Sequence, residues 1–203
     1  MDALIIVDVQ HDFLPGGTLA VQKGDEVIPV INELIPRFEH VIATQDWHPA
    51  DHLSFASQHQ GRSIGDVIML RGLEQVLWPD HCVQGTKGAS FALDLPERAV
   101  VFRKGTQRHI DSYSGFFDNG HLADTGLERY LRAKGVDQLF ITGLATDYCV
   151  KFTALDAISS GFKTVVISDA TRAVDLREGD GAAALAELKQ RGALISSFAE
   201  CVG

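Results

Sequence analysis

Short apolar runs alternate with stretches of helical spacing along most of the chain. Leu4–Val9 is an apolar run broken at Asp8, the length of a buried strand. Val27, Val30, Ile31, Leu34 and Ile35 then recur at helical spacing, with Pro29 near the start and Pro36 as a stop. Val41–Thr44 reads as a second strand and Ala99–Arg103 as a third. Thr125-Gly-Leu-Glu128 has the spacing of a capping box, Leu127, Tyr130 and Leu131 mark the buried stripe behind it, and Gly135 suits the end of that helix. A fourth strand over Leu139–Thr142 leads into a helix that carries Cys149 and runs to Gly161. Thr164–Ser168 reads as a fifth strand, Asp180–Arg191 as a helix ended by Gly192, and Ala193–Phe198 as a sixth strand. Strands apolar on both faces, alternating with helices, predict an α/β fold: a doubly wound, mainly parallel six-stranded sheet with helices on both faces.

The reading gives one domain over residues 1–203, without repeat or linker. Residues 48–98 interrupt the alternation with an irregular stretch rich in His, Gly and polar residues, an excursion of the kind that carries a site. A net charge of −9 argues against nucleic acid or an anionic membrane as the main partner. No apolar run approaches the ~20 residues needed to span a bilayer, and Met1-Asp2-Ala3 does not open a signal peptide. Three widely spaced cysteines, Cys82, Cys149 and Cys201, suit a reduced, cytoplasmic protein better than a disulfide framework.

In a doubly wound sheet, ligands bind beyond the carboxyl ends of the strands. That rule gathers Asp8, Asp46 with His48, Lys104 and the Cys149 turn around one crevice. A cysteine in the first turn of a helix is expected to have its pKa lowered by the helix dipole, which favours the nucleophilic thiolate. Asp46-Trp47-His48 places a carboxylate and an imidazole on one side of extended backbone. With a third ligand from the later loop, the pair suits a divalent transition metal. His81 is the best third candidate, and His52 and His59 also lie in that stretch.

Asp8-x-Gln10-x-Asp12-Phe13, Asp46-Trp47-His48-Pro49, Trp78-Pro79-x-His81-Cys82-Val83, Arg103-Lys104-Gly105, Asp111-Ser112-Tyr113-Ser114 and Gly143-Leu-Ala-Thr-Asp-Tyr-Cys149-Val150 occur in that order. Together they closely resemble the nicotinamidase/pyrazinamidase family, within the wider isochorismatase-like cysteine hydrolases. The resemblance implies a metal-containing cysteine amidohydrolase. Its substrate would be the small molecule nicotinamide, with pyrazinamide also accepted, and its place NAD salvage. It implies a catalytic triad of Asp8, Lys104 and Cys149, and metal ligands Asp46, His48 and His81, with His52 as a possible additional ligand. Zinc is the expected ion, with iron or manganese as alternatives. Phe13, Trp78, Ala145 and Tyr148 would contact substrate. Backbone N–H groups of Ala145 and Cys149 would form the oxyanion hole beside a cis Leu144–Ala145 peptide. Tyr148 stands where some members have histidine, and Gln10 and Tyr113 read as supporting residues. The nearest alternatives are hydrolysis of another small amide or ureido compound, and a catalytically silent protein that keeps the metal site. Monomer and homo-oligomer both remain open.

Overall fold

The computed structural model describes residues 1–202, the side chain of Val202 excepted. The elements are β1 (Asp2–Val7), α1 (Val27–Leu34), β2 (His40–Asp46), β3 (Val67–Leu70), β4 (Leu73–Val76), β5 (Val100–Lys104) and α2 (Leu127–Ala133). They continue with β6 (Gln138–Leu144), α3 (Lys151–Ser159), β7 (Lys163–Arg172), α4 (Asp180–Gln190), β8 (Leu194–Ser196) and α5 (Phe198–Val202). Six strands form one sheet in the order β5-β2-β1-β6-β7-β8, all paired in parallel. From the central β1 the chain builds outward to β2 and β5, then crosses to β6, β7 and β8. The switch point lies between β1 and β6, where the crossovers diverge and leave a crevice at the strand tips.

Alternation along β1 creates two cores. Ala3, Ile5 and Val7 face one side, packed with Leu127 and Leu131 of α2, Ala154 and Ala157 of α3, and Leu188 of α4. Leu4 and Ile6 face the other, against Val27, Ile31 and Leu34 of α1. Every one of these five β1 residues is fully buried. The expected doubly wound α/β architecture is present.

Three local readings differ. The last strand stops at Ser196, because Ser197 and Glu200 close a capping box: the Glu200 carboxylate accepts the Ser197 N–H at 2.7 Å, and the Ser197 hydroxyl accepts the Glu200 N–H. Phe198 therefore opens α5 instead of ending a strand. The Thr125–Glu128 string does not form the box, since the Thr125 N–H is already taken by the Phe116 carbonyl. There the Thr125 hydroxyl accepts the Leu127 N–H and donates to Gly115 O. The excursion over residues 48–98 contains an antiparallel hairpin, β3–β4. It is tied down by bridges between Phe55 and Trp78 and between His48 and Val83.

Candidate active site

Four strand tips deliver the expected groups to the crevice. Asp8 follows β1 with φ +47°, in the left-handed region that aspartate enters more readily than most residues. Its Oδ1 accepts the Thr44 hydroxyl at 2.7 Å. Asp46 ends β2 and is clamped by Gln10, whose Oε1 accepts the Asp46 N–H at 2.9 Å while Nε2 donates to Asp46 O at 2.8 Å. Lys104 ends β5. Its ammonium lies 2.5 Å from Asp46 Oδ1, 2.8 Å from Asp8 Oδ2, 2.9 Å from Ser112 O and 3.3 Å from Cys149 Sγ. Cys149 sits in a π-helical turn, Thr146–Val150, between β6 and α3, after a cis Leu144–Ala145 peptide. A sulfur, a carboxylate and an amine thus share one buried point.

The electrostatics alter one expectation. Burial pushes the Cys149 thiol well above its ordinary pKa, and Lys104 opposes this without reversing it. The helix start does not by itself ionise the sulfur, because a fully enclosed thiolate beside two carboxylates costs more than the dipole returns. Burial also raises Asp8, partly offset by Lys104. Asp46 goes the other way: burial resists its charge, but Lys104 and His48 hold it well below the carboxylate range. Burial likewise opposes the Lys104 charge, yet Asp46 and Asp8 keep the ammonium well above its usual value. Enclosure in one cluster thus raises the proton affinity of the Cys149 thiol, of Asp8 and of the Lys104 amine, and lowers that of Asp46.

Asp46 Oδ2 lies 3.6 Å from His48 Nε2 and 3.8 Å from His81 Nε2. Ligand bonds of about 2.1 Å place neighbouring donor atoms roughly 3.0–3.6 Å apart, so the set fits a cation with little adjustment. The tautomers fit as well. His48 Nδ1 donates to Gly105 O and His81 Nδ1 to Pro79 O, both at 2.8 Å, which turns each Nε2 lone pair toward Asp46. His48 Nε2 is buried without a protein partner, as a nitrogen reserved for a metal would be. A side chain at Gly105 would run into the His48 ring, so glycine is required there. His52 is not in this set: its Nδ1 contacts the Ser54 hydroxyl at 2.7 Å, its Nε2 faces Ile110 O at 3.3 Å, and its ring packs on His48. Burial pushes His52 down to about 4, which keeps it neutral at ordinary pH. His59 points elsewhere, onto Leu53 O.

The pocket beside Cys149 is walled by Phe13, Trp78, Ala145 and Tyr148, with Asp46 and His81 at one side. Tyr148 stands edge-on to Trp78, their centroids 4.8 Å apart. Leu19, Asp111, Tyr113 and Val174 complete the lining. Leu19 and Val174 escaped the sequence reading, since single apolar residues in loops carry no local signal. The β3–β4 hairpin contributes Gln75, whose Nε2 donates to Asp111 Oδ2 at 3.1 Å and to the Tyr113 hydroxyl at 3.2 Å. Trp78 Nε1 donates to the same hydroxyl at 3.2 Å. The hairpin therefore braces one side of the pocket from behind. A larger hollow, at the opposite ends of the strands near Met1, Leu34 and Phe140, gathers no comparable set of groups.

Residues 2–200 match the model of the isochorismatase domain family, and the chain belongs to that family. A nicotinamidase of Acinetobacter baylyi is 51% identical over 176 residues, which cover 86% of this chain and 82% of that protein. The structure described as Acinetobacter baumanii nicotinamidase pyrazinamidease superposes with a TM-score of 0.95 at 46% identity, covering 99% of this chain and 98% of that one. The pyrazinamidase of Pyrococcus horikoshii in complex with zinc gives a TM-score of 0.81 at 41% identity, covering 97% and 99%.

Proposed function

We propose that this protein is a cysteine amidohydrolase that converts nicotinamide and water to nicotinate and ammonia, and accepts pyrazinamide by the same route. The observation that carries this is the single buried point where Lys104 Nζ meets Asp8, Asp46 and Cys149, opening into a pocket with aromatic walls. The likeness to nicotinamidases over most of the chain supports the choice of substrate.

Asp8 takes the Cys149 proton as Sγ adds to the carboxamide carbon, so the charge separation of a free thiolate is never sustained. Lys104 stays charged throughout and stabilises both anionic partners. The oxygen of the tetrahedral adduct faces the Ala145 and Cys149 backbone N–H groups. Asp8 then gives its proton to the departing nitrogen, and ammonia leaves a thioester on Sγ. Water adds to that thioester while Asp8 again takes a proton, the C–S bond breaks, and the carboxylate is released as the thiol reforms. Phe13, Trp78 and Tyr148 hold the ring by its faces and edges. A divalent cation held by Asp46, His48 and His81, zinc in this reading, would supply an electrophilic point that orients the ring through its nitrogen lone pair.

Purified, zinc-loaded protein should release equal amounts of ammonia and nicotinate from nicotinamide and turn over pyrazinamide. It should leave N-carbamoyl amino acids untouched, lose activity on chelation and regain it with zinc. Turnover of the ureido compounds without nicotinamide hydrolysis would displace this reading.

The pH dependence follows from Asp8. Only its ionised form accepts the thiol proton, and burial raises its pKa. With metal saturating, kcat/KM should therefore decline on the acid side with a midpoint above the ordinary carboxylate value of about 3.9. That midpoint belongs to Asp8 and Cys149 as a coupled pair. Alkylation of Cys149 by iodoacetamide, followed against pH, should show the same limb; a limb at or below 3.9 would exclude Asp8 as the base.

A further inference from the structure

Asp147 lies two residues before Cys149, is 8% exposed, and has no place in the chemistry above. Its carboxylate reaches away from the sulfur, to the loop between β7 and α4. Oδ1 accepts the Val174 N–H and Oδ2 the Asp175 N–H, each at 2.9 Å. Both oxygens are thus committed to one short stretch of backbone, a bidentate grip stronger than two neutral hydrogen bonds. The loop is gripped from its far side as well. Asp175, with φ +51°, accepts the Gly181 N–H of α4 through its own Oδ1 at 2.8 Å. One residue before Asp147, the Thr146 hydroxyl lies 2.8 Å from that of Thr171. Val174, the residue whose N–H is held, lines the same pocket as Phe13 and Cys149.

We propose that Asp147 is a positioning residue that sets the distance between the nucleophile and the Val174 wall of the substrate pocket. The turn that bears Cys149 and the loop that bears Val174 follow the paired strands β6 and β7, which are in register at Leu144 and Arg172 and joined again by the Thr146 and Thr171 hydroxyls. Beyond that point the Asp147 carboxylate ties the turn to the Val174–Asp175 backbone. Substrate is then gripped between a wall and a sulfur that are registered to each other, so loss of the link widens the ring site without touching the proton-transfer groups.

The inference rests on the nicotinamidase reading, and the experiment separates the two. Nicotinamide hydrolysis by the unaltered protein is measured first; its absence removes the functional reading and says nothing against the latch geometry. Given hydrolysis, Asp147→Asn keeps the size of the side chain but sets an NH₂ donor against one of the two N–H groups. It should raise KM for nicotinamide about tenfold, with kcat changed less than about threefold. Alkylation of Cys149 by iodoacetamide, a probe with no ring, should change less than about twofold when followed by peptide mass. Val174→Ala should raise KM as well. In the double variant the two effects should not add, because both remove the same wall. A fall in kcat and in alkylation rate with KM unchanged, or fully additive effects on KM, would overturn the proposal. Asp147→Ser, small and neutral, replaces Asn in the same cycle should the amide prevent folding.

Discussion

Cys149→Ala should lower nicotinamide turnover by at least ~10⁴-fold, the size of loss seen when a nucleophile that acts as part of a triad is removed. No other group can form the thioester. Among the three free cysteines, Cys82 is fully buried and does not line the pocket, and Cys201 lies at the other end of the sheet. The variant should keep its fold and its capacity to bind zinc, since Sγ holds no secondary structure together and is not one of the Asp46, His48 and His81 donors, although Asp46 lies close to both groups. Far-UV circular dichroism and bound zinc by atomic absorption check those two points, and ammonia release checks the first. Retained turnover in a folded Cys149→Ala protein would end the cysteine-hydrolase reading.

Lys104→Met should unsettle the whole site. Met matches the length of the stem but leaves Asp8 and Asp46, both buried, without the charge that pairs them. Removing one partner from a buried ion cluster costs ~3–5 kcal/mol, and turnover should disappear with it. The pH dependence identifies the cause. Without Lys104, burial and repulsion from Asp46 raise Asp8 further above its unfolded value of about 3.9, while Asp46 loses the largest of the charges that hold it low. A group whose folded pKa is raised stabilises the fold below its unfolded pKa and loses that contribution as pH rises through the folded pKa. The stability deficit of the metal-free variant should therefore shrink as pH is lowered from 7 to 5. Urea unfolding of both proteins at the two pH values measures this; a constant deficit would mean that the loss is one of packing and not of charge.

Much of this site is legible in the chain because strand tips are local features. Asp8, Asp46 and Lys104 each end or follow an apolar run, and Cys149 sits between a strand and a helix, so the rule for doubly wound sheets alone brings them to one crevice. Gln10 and Tyr113 read as supporting residues. The structure adds that Gln10 clamps Asp46 through both backbone groups and that Tyr113 receives Trp78 and Gln75. Thr44, Gln75 and Val174 were beyond reach, since each acts on a partner far away in sequence and belongs to no short pattern. Asp147 stands within the Gly143–Val150 string, but its role is hidden there because its partners, Val174 and Asp175, are on another loop.

What the amino-acid order determines by itself is periodic: two-sided apolar strands, helical stripes, and polar residues at the ends of both. Those are contacts between near neighbours, and they dictate the sheet, its two cores and the list of residues at its tips. Folding alone decides which of two similar strings is used. Ser197–Glu200 closes a capping box, whereas Thr125–Glu128 is denied one by the carbonyl of Phe116. It also decides proton affinity: a helix start favours a thiolate at Cys149, yet burial beside Asp8 and Asp46 raises the thiol pKa, with Lys104 opposing. The reason is the same in both cases. A hydrogen bond or a charge is worth what its surroundings make it, and those surroundings come from outside the local string: a loop for Thr125, and three other strand tips for Cys149.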